Sequence, residues 1–252
     1  MSRPARPTIL AAMSRSLKVL IGVVVVAVAA AAGGVWWYLR DDAPAKVSLE
    51  QATEDAARKP AGPGAGRGVE GAWTVDNTTG DFDFESASGT FAGFRVQEEL
   101  ARIGHTTAVG RTGDVTGTLT IAGDRVTEAS FAVDLTTITT NQSQRDRRVQ
   151  DALDTDEHPE ATFRLTEPIA LPAGAASGRP VKATGIGELT VHGQTRPVEV
   201  GIEARVVKGR IVLVGSVPIK FSDYGVEVPS SPIVLSVEDH GEMEFQILLV
   251  RA

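Results

Sequence analysis

From Trp73 to the end of the chain, apolar and polar residues alternate with a period of two, and this constrains the fold more than any other feature. Successive side chains on a strand point to opposite faces, so each such run gives one face to a core and the other to water. Asp81-Phe82-Asp83-Phe84-Glu85 alternates strictly, and Thr116–Ile121, Ser130–Leu135, Thr162–Leu165, Val198–Glu203 and Glu244–Leu249 resume the alternation. Turn signals separate them: Gly104, Gly123-Asp124, His192-Gly193, Lys208-Gly209 and Asp239-His240-Gly241. Lys208-Gly209 and Gly193 each join adjacent runs and suit antiparallel hairpins. One stretch here, Asn141 to Leu153, reads as helix, with Asn141 as its cap and Val149 and Leu153 at i and i+4. Pro159 prevents its continuation. About eight or more strands with one short helix predict an all-β antiparallel meander. A closed barrel is favoured over a sandwich because closure removes exposed edges, and eight strands leave room for one small ligand. Many strands carry Asp, Glu, Arg or Lys on one face, which argues against a barrel that crosses a membrane.

Ahead of this region lies a different signal. Val19 to Leu39 is a run of twenty-one residues without a charge, preceded by Arg3, Arg6, Arg15 and Lys18. At ~1.5 Å per residue, a helix of this length matches the roughly 30 Å core of a bilayer. The positive-inside bias puts residues 1–18 in the cytoplasm as a basic tail and everything after Arg40 outside. Trp36, Trp37 and Tyr38 sit at the outer end, where amphipathic rings favour the headgroup layer. The expectation is a single-pass protein of the cytoplasmic membrane, with 19–39 as its transmembrane helix. A cleaved signal is the alternative, because Ala29-Ala30-Ala31 satisfies a small-residue cleavage rule. The apolar run continues through Val35–Leu39, beyond the usual ~7–15 residues of a signal core. Both readings export the remainder.

Residues 40–70 read as a flexible extracytoplasmic linker. Ser48 with Gln51 has the capping-box spacing and starts a short helix through Arg58, which lacks a sustained apolar face. The segment from Lys59 to Gly71 then holds two prolines and five glycines, a composition that resists packing. Residues 71–252 are the folded β domain. The chain has 32 acidic against 25 basic residues and a net charge of -7. Such an acidic balance excludes a general nucleic-acid binder. With no cysteine, disulfides, thiolate metal sites and cysteine nucleophiles are absent.

Catalytic patterns are missing. There is no G-x-S-x-G and no H-E-x-x-H, and no catalytic residue is assigned. Thr184–Leu189 resembles half a glycine-rich loop, but it lies in a strand pattern and reads as glycines for close packing. His105, His158, His192 and His240 show no pair with ligand spacing, so no metal site is expected. Asp154, Asp156, Glu157 and Glu160 read as a solvated acidic loop. Arg145, Arg147 and Arg148 lie on the short helix, where they either meet an anionic headgroup or pyrophosphate at a barrel mouth or pair with Asp146 and Asp151.

A series of short motifs resembles a known family. Trp73-Thr74-Val75-Asp76 opens it, followed by Val109-Gly110-Arg111-Thr112, Val115-Thr116-Gly117, and Thr140-Asn141 with Arg145-Asp146. Then come His158-Pro159-Glu160-Ala161-Thr162-Phe163, Gly187-Glu188-Leu189-Thr190-Val191-His192-Gly193 with Arg196-Pro197-Val198, and Asp223-Tyr224-Gly225. In this order they resemble the YceI-like family of bacterial lipid-binding proteins over residues 71–250. The resemblance implies an extended eight-stranded antiparallel barrel, lipocalin-like, that holds a long polyisoprenoid chain. It implies no catalytic residues and no cofactor beyond a bound polyprenyl or quinone lipid. The chain departs from the family in its membrane segment and in a charged insert, Gln97 to Gly104, expected to remodel one mouth of the barrel.

These readings make the partner an isoprenoid or other long-chain lipid. Phe91, Phe131, Phe163 and Phe245 are the candidate lining residues, with ordinary core packing as their alternative, and Arg145 is the candidate headgroup contact. An enzyme acting on a lipophilic substrate and a non-catalytic envelope interaction module are the competing functions.

Overall fold

The alternating runs form strands that close on themselves. The computed structural model describes residues 43–252 apart from 64, 67, 79–81, 102–103 and 228–233. The basic tail and the apolar segment 19–39 lie outside the described residues, within which no helix is long and apolar enough to cross a membrane.

A helix, α1 (Leu49–Arg58), comes first. The strands follow: β1 (Gly71–Val75), β2 (Phe91–Leu100), β3 (Gly104–Thr112), β4 (Val115–Ala122), β5 (Arg125–Asp134) and β6 (Thr139–Thr140). After helix α2 (Ser143–Leu153) come β7 (Glu160–Leu165), β8 (Ile169–Ala170), β9 (Val181–Val191), β10 (Gln194–Val207), β11 (Arg210–Lys220) and β12 (Val234–Arg251). Eight of them pair in the antiparallel cycle β1-β4-β5-β7-β9-β10-β11-β12, and β1 closes it against β12 through Trp73↔Arg251 and Val75↔Leu249. This is the expected lipocalin-like barrel. The eighteen residues of β12 outrun β1, so β2 pairs with the same edge over Val234–Gln246 and β3 follows β2.

Two turns set the register of the long hairpins. His192 (φ 50) with Gly193 (φ 68) joins β9 to β10, and Lys208 (φ 47) with Gly209 (φ 80) joins β10 to β11. Positive φ at both central residues is the signature of the tight turn whose twist matches paired strands.

Of the Asp81–Glu85 run, expected as a strand, the described residues lead into a turn closed by an Asp83↔Ser88 bridge. The Asp83 carboxylate accepts hydrogen bonds from the Ser86 N–H at 2.7 Å and its hydroxyl at 2.6 Å, a local satisfaction that competes with strand pairing. Phe82 and Phe84 are thereby turned onto the outer wall, beside Phe91 and Arg111.

Described parts of the segment expected as a flexible linker are docked: Arg95 and Arg210 donate to the Pro44 and Pro60 carbonyls. Ala52 and Ala56 of α1 are buried against Val212, Val214 and Leu248 on the outer face of β11 and β12. Their small side chains at i and i+4 do not read as an apolar stripe, yet they let a helix lie close to a sheet. The short helix expected in the linker is therefore part of the folded domain, beside the one short helix expected between its strands.

Candidate functional site

Inside the barrel two apolar clusters occupy opposite ends. One gathers Trp73, Leu119, Ile121, Ile211 and Leu249, and the other Leu135, Leu189, Val200, Ile219 and Tyr224. Phe163, Phe245, Ile202 and Val133 touch both clusters. Between them lies a cavity of about 170 Å³, lined by Phe131, Phe163, Phe245, Ile202, Ile247 and Met243 among others. A second chamber of about 60 Å³ lies under α2 and includes Phe94, Leu153, Tyr224 and Val226. The two share Ala92, Val133, Ala161 and Met243 as walls, so they follow one another through the lumen.

Glycines make room for the rings. A Cβ at Gly187 would stand 2.5 Å from the Phe163 ring, one at Gly117 2.5 Å from Phe131, and one at Gly215 2.5 Å from Phe245. Each phenyl packs against a glycine of the neighbouring strand, in space that a side chain there would fill. Phe94 does the same over Gly110 in the second chamber, where the gap would be 2.4 Å. The glycines of Thr184–Leu189 thus serve close packing, as their strand setting suggested.

Phe131, Phe163 and Phe245 keep accessible surface because they face this space. Phe91 does not. It is fully buried on the opposite face of the wall, in contact with Phe82, with the Arg111 guanidinium 4.7 Å from its ring centre. Strand phase is the reason: Ala92 points inward and its neighbour Phe91 points out. That outer face also hides a charge cluster. Arg111 donates to Glu244 from Nε at 2.9 Å and from Nη2 at 2.6 Å, and to the carbonyls of Phe84 and Ala45, both at 2.9 Å.

Arg145 lies away from both chambers. It donates to Asn141 Oδ1 at 2.7 Å and pairs with buried Glu98 of β2. Burial lowers its pKa, while Glu98 and Asp146 pull it back up. Arg147 pairs with Asp151 at 3.0 Å on the exposed face of α2. The Gln97–Gly104 insert extends the β2–β3 hairpin, pairing Leu100 with Gly104, and supplies Glu98 to Arg145; none of its described residues lines a chamber. The cation that borders the main cavity is Arg205, exposed on β10 beside half-buried Val206 and Ala175. Its Nε donates to the Gly178 carbonyl at 2.8 Å. Its place on the rim follows from the β9–β10 register, which no local pattern reveals.

The family profile described as the YceI-like domain matches residues 73–249. The chain belongs to the YceI-like family. Its structure is similar to that of a polyisoprenoid-binding domain from Saccharophagus degradans implicated in plant cell wall breakdown. The TM-score is 0.53 at 18% identity, covering 73% of this chain and all of that one. Burkholderia cenocepacia BcnA aligns with a TM-score of 0.49 at 19% identity, over 63% of this chain and 94% of that one. Campylobacter jejuni YCEI protein aligns at 0.45 and 18% identity, over 55% and 82%. At these identities the likeness concerns the YceI-like fold. No curated protein matches the chain.

Proposed function

We propose that this YceI-like chain is a carrier or sequestering protein that buries the isoprenoid chain of a quinone or polyprenyl lipid in its barrel. In this reading it is held at the cytoplasmic membrane by residues 19–39, with the barrel outside. The observation that carries it is the apolar lumen, whose three phenylalanines are held against the wall by glycines. Burial gains roughly 0.8 kcal/mol per methylene. Several prenyl units therefore offset the cost of association, and affinity of about micromolar or better needs no specific polar contact. The polyisoprenoid-binding description of the Saccharophagus domain of the same fold supports this ligand class.

The role is binding and not catalysis. Among the described residues lining the main cavity, the ionisable ones are Arg205 at the rim and Glu244, and the Glu244 carboxylate is engaged by Arg111 and Arg95 on the outer face. Among the described residues, no acid–base pair lines the main cavity. The test is native mass spectrometry of full-length protein, delipidated, refolded and offered geranylgeranyl lipids or a quinone. Uptake of one lipid per barrel is expected, and refolded protein that takes up none sinks the reading. The N-terminal mass of protein extracted from membranes distinguishes an anchor from a signal cut after the alanines.

A further inference from the structure

Histidines without ligand spacing in the sequence meet in the fold. Asp154, His158 and His192 each offer one ligand atom, and these three atoms lie within 4.8 Å of one another. They come from three places. Asp154 ends α2 in the left-handed conformation (φ 48, ψ 53). His158 follows in the loop to β7, its N–H bonded to the Asp154 carbonyl at 2.7 Å. His192 occupies the β9–β10 turn. The two imidazoles meet edge to face with centres 5.3 Å apart. A Cβ at Gly193 would stand 2.7 Å from His158 Cε1, so the turn glycine lets the rings approach.

The tautomer of His192 is set by its neighbour. Its Nδ1 lies 3.0 Å from the Tyr224 carbonyl oxygen, which can only accept, so Nδ1 carries the proton. The Nε2 lone pair is left for another partner. A ring N–H held by a backbone carbonyl is the usual outer support of a metal-bound histidine. All three residues are half-buried, open enough for an ion to enter.

We propose that Asp154, His158 and His192 form a binding site for a first-row divalent metal ion of the zinc class. Two imidazole nitrogens and one carboxylate oxygen suit zinc or cobalt and disfavour magnesium and calcium, which prefer all-oxygen shells. Zinc at ~2.0 Å from tetrahedral ligands sets them about 3.3 Å apart, so closure needs side-chain shifts on the order of 1 Å. Water completes the shell. The ion joins the α2–β7 loop to the β9–β10 turn and, through the Tyr224 carbonyl, to the 3₁₀ turn Phe221–Tyr224. Leu153, Val191 and Tyr224, neighbours of these ligands in sequence or contact, line the second chamber. The metal thus staples that end of the barrel.

The test uses tag-free, chelator-stripped full-length protein titrated with cobalt(II), with zinc as competitor and magnesium and calcium as controls. One cobalt per chain is expected, with a visible ligand-field band displaced by zinc, and zinc raises the melting temperature. Asp154→Asn keeps a residue that tolerates the left-handed backbone, and together with His158→Ala it weakens binding at least about tenfold. His105→Gln with His240→Gln, both exposed on distant positions of β3 and β12, leaves binding unchanged. Circular dichroism in EDTA shows that each variant is folded. Absence of stoichiometric cobalt binding overturns the site, and so does binding that survives in the folded Asp154 and His158 variants or vanishes with His105 and His240.

Discussion

The Phe163 ring lies across Gly187 of the adjacent strand so closely that a Cβ there would stand 2.5 Å from two fronts, the ring and the Arg164 carbonyl oxygen. Gly187→Ala therefore drives the phenyl into the lumen. Overpacking of this kind costs about 1–3 kcal/mol, and the lumen loses room for lipid. Urea denaturation and geranylgeraniol uptake measure the two effects. Adding Phe163→Leu relieves the ring contact but not the backbone one, so the double variant recovers part of both, a non-additivity read from the mutant cycle.

Arg111 is fully buried with its charge shared among Glu244 and two carbonyls. Arg111→Met leaves the Glu244 carboxylate in a dry setting with Arg95 at 3.5 Å as its remaining cation. Breaking a buried pair from one side costs about 3–5 kcal/mol, and the denaturant midpoint falls accordingly. Arg111→Lys does not restore it, because one ammonium cannot reproduce the planar fork that reaches Glu244, Phe84 and Ala45 together.

Acid loosens the 3₁₀ turn after β11. The Asp239 carboxylate accepts the Ser222 hydroxyl at 2.7 Å and its N–H at 2.8 Å. These bonds hold its pKa below the ordinary carboxylate range, with Lys220 and His240 assisting against slight desolvation. A pKa depressed by folding means the contribution is complete above the unfolded value and lost as pH falls through the folded one. Wild type is expected to exceed Asp239→Asn in stability at neutral pH, with the two curves converging in strong acid. Thermal melts across that range decide it; parallel curves would refute the assignment.

What the sequence disclosed and what it hid divide along the length scale of each signal. Period two and the His192-Gly193 and Lys208-Gly209 turns made the strands and hairpins legible, because both depend on neighbouring residues. Phe131, Phe163 and Phe245 border the cavity, whereas Phe91 sits one residue out of phase with inward Ala92. Strand phase is set by pairing with β12, which lies far along the chain. Phe82–Glu85 carried part of a strand pattern that the local Asp83 carboxylate turn overrode. Helix α1 was legible from the Ser48–Gln51 spacing, but its docking was not, because Ala52 and Ala56 look like tether residues until a sheet face is there to receive them. The meeting of Asp154, His158 and His192 is a product of tertiary structure and leaves no local trace.

The same distinction separates two arginines. Arg145 has the motif but is engaged by Glu98 and Asn141, while Arg205 has no motif but borders the cavity. If the lipid enters chain first, its headgroup is left at the rim within reach of Arg205. Arg205→Gln is then expected to weaken geranylgeranyl pyrophosphate about two- to fivefold, the scale of an exposed ion pair of under about 1 kcal/mol. Geranylgeraniol, equal in chain but neutral in head, binds both forms alike. Raising salt narrows the difference, since exposed charges are screened. Arg145→Gln leaves both affinities unchanged and lowers stability, because buried Glu98 loses its cation and keeps the neutral Thr106 hydroxyl at 3.1 Å. Fluorescence competition with the two lipids, run beside denaturation of each variant, separates a headgroup contact from a structural one. An Arg205 effect equal for both lipids would remove the headgroup from that rim.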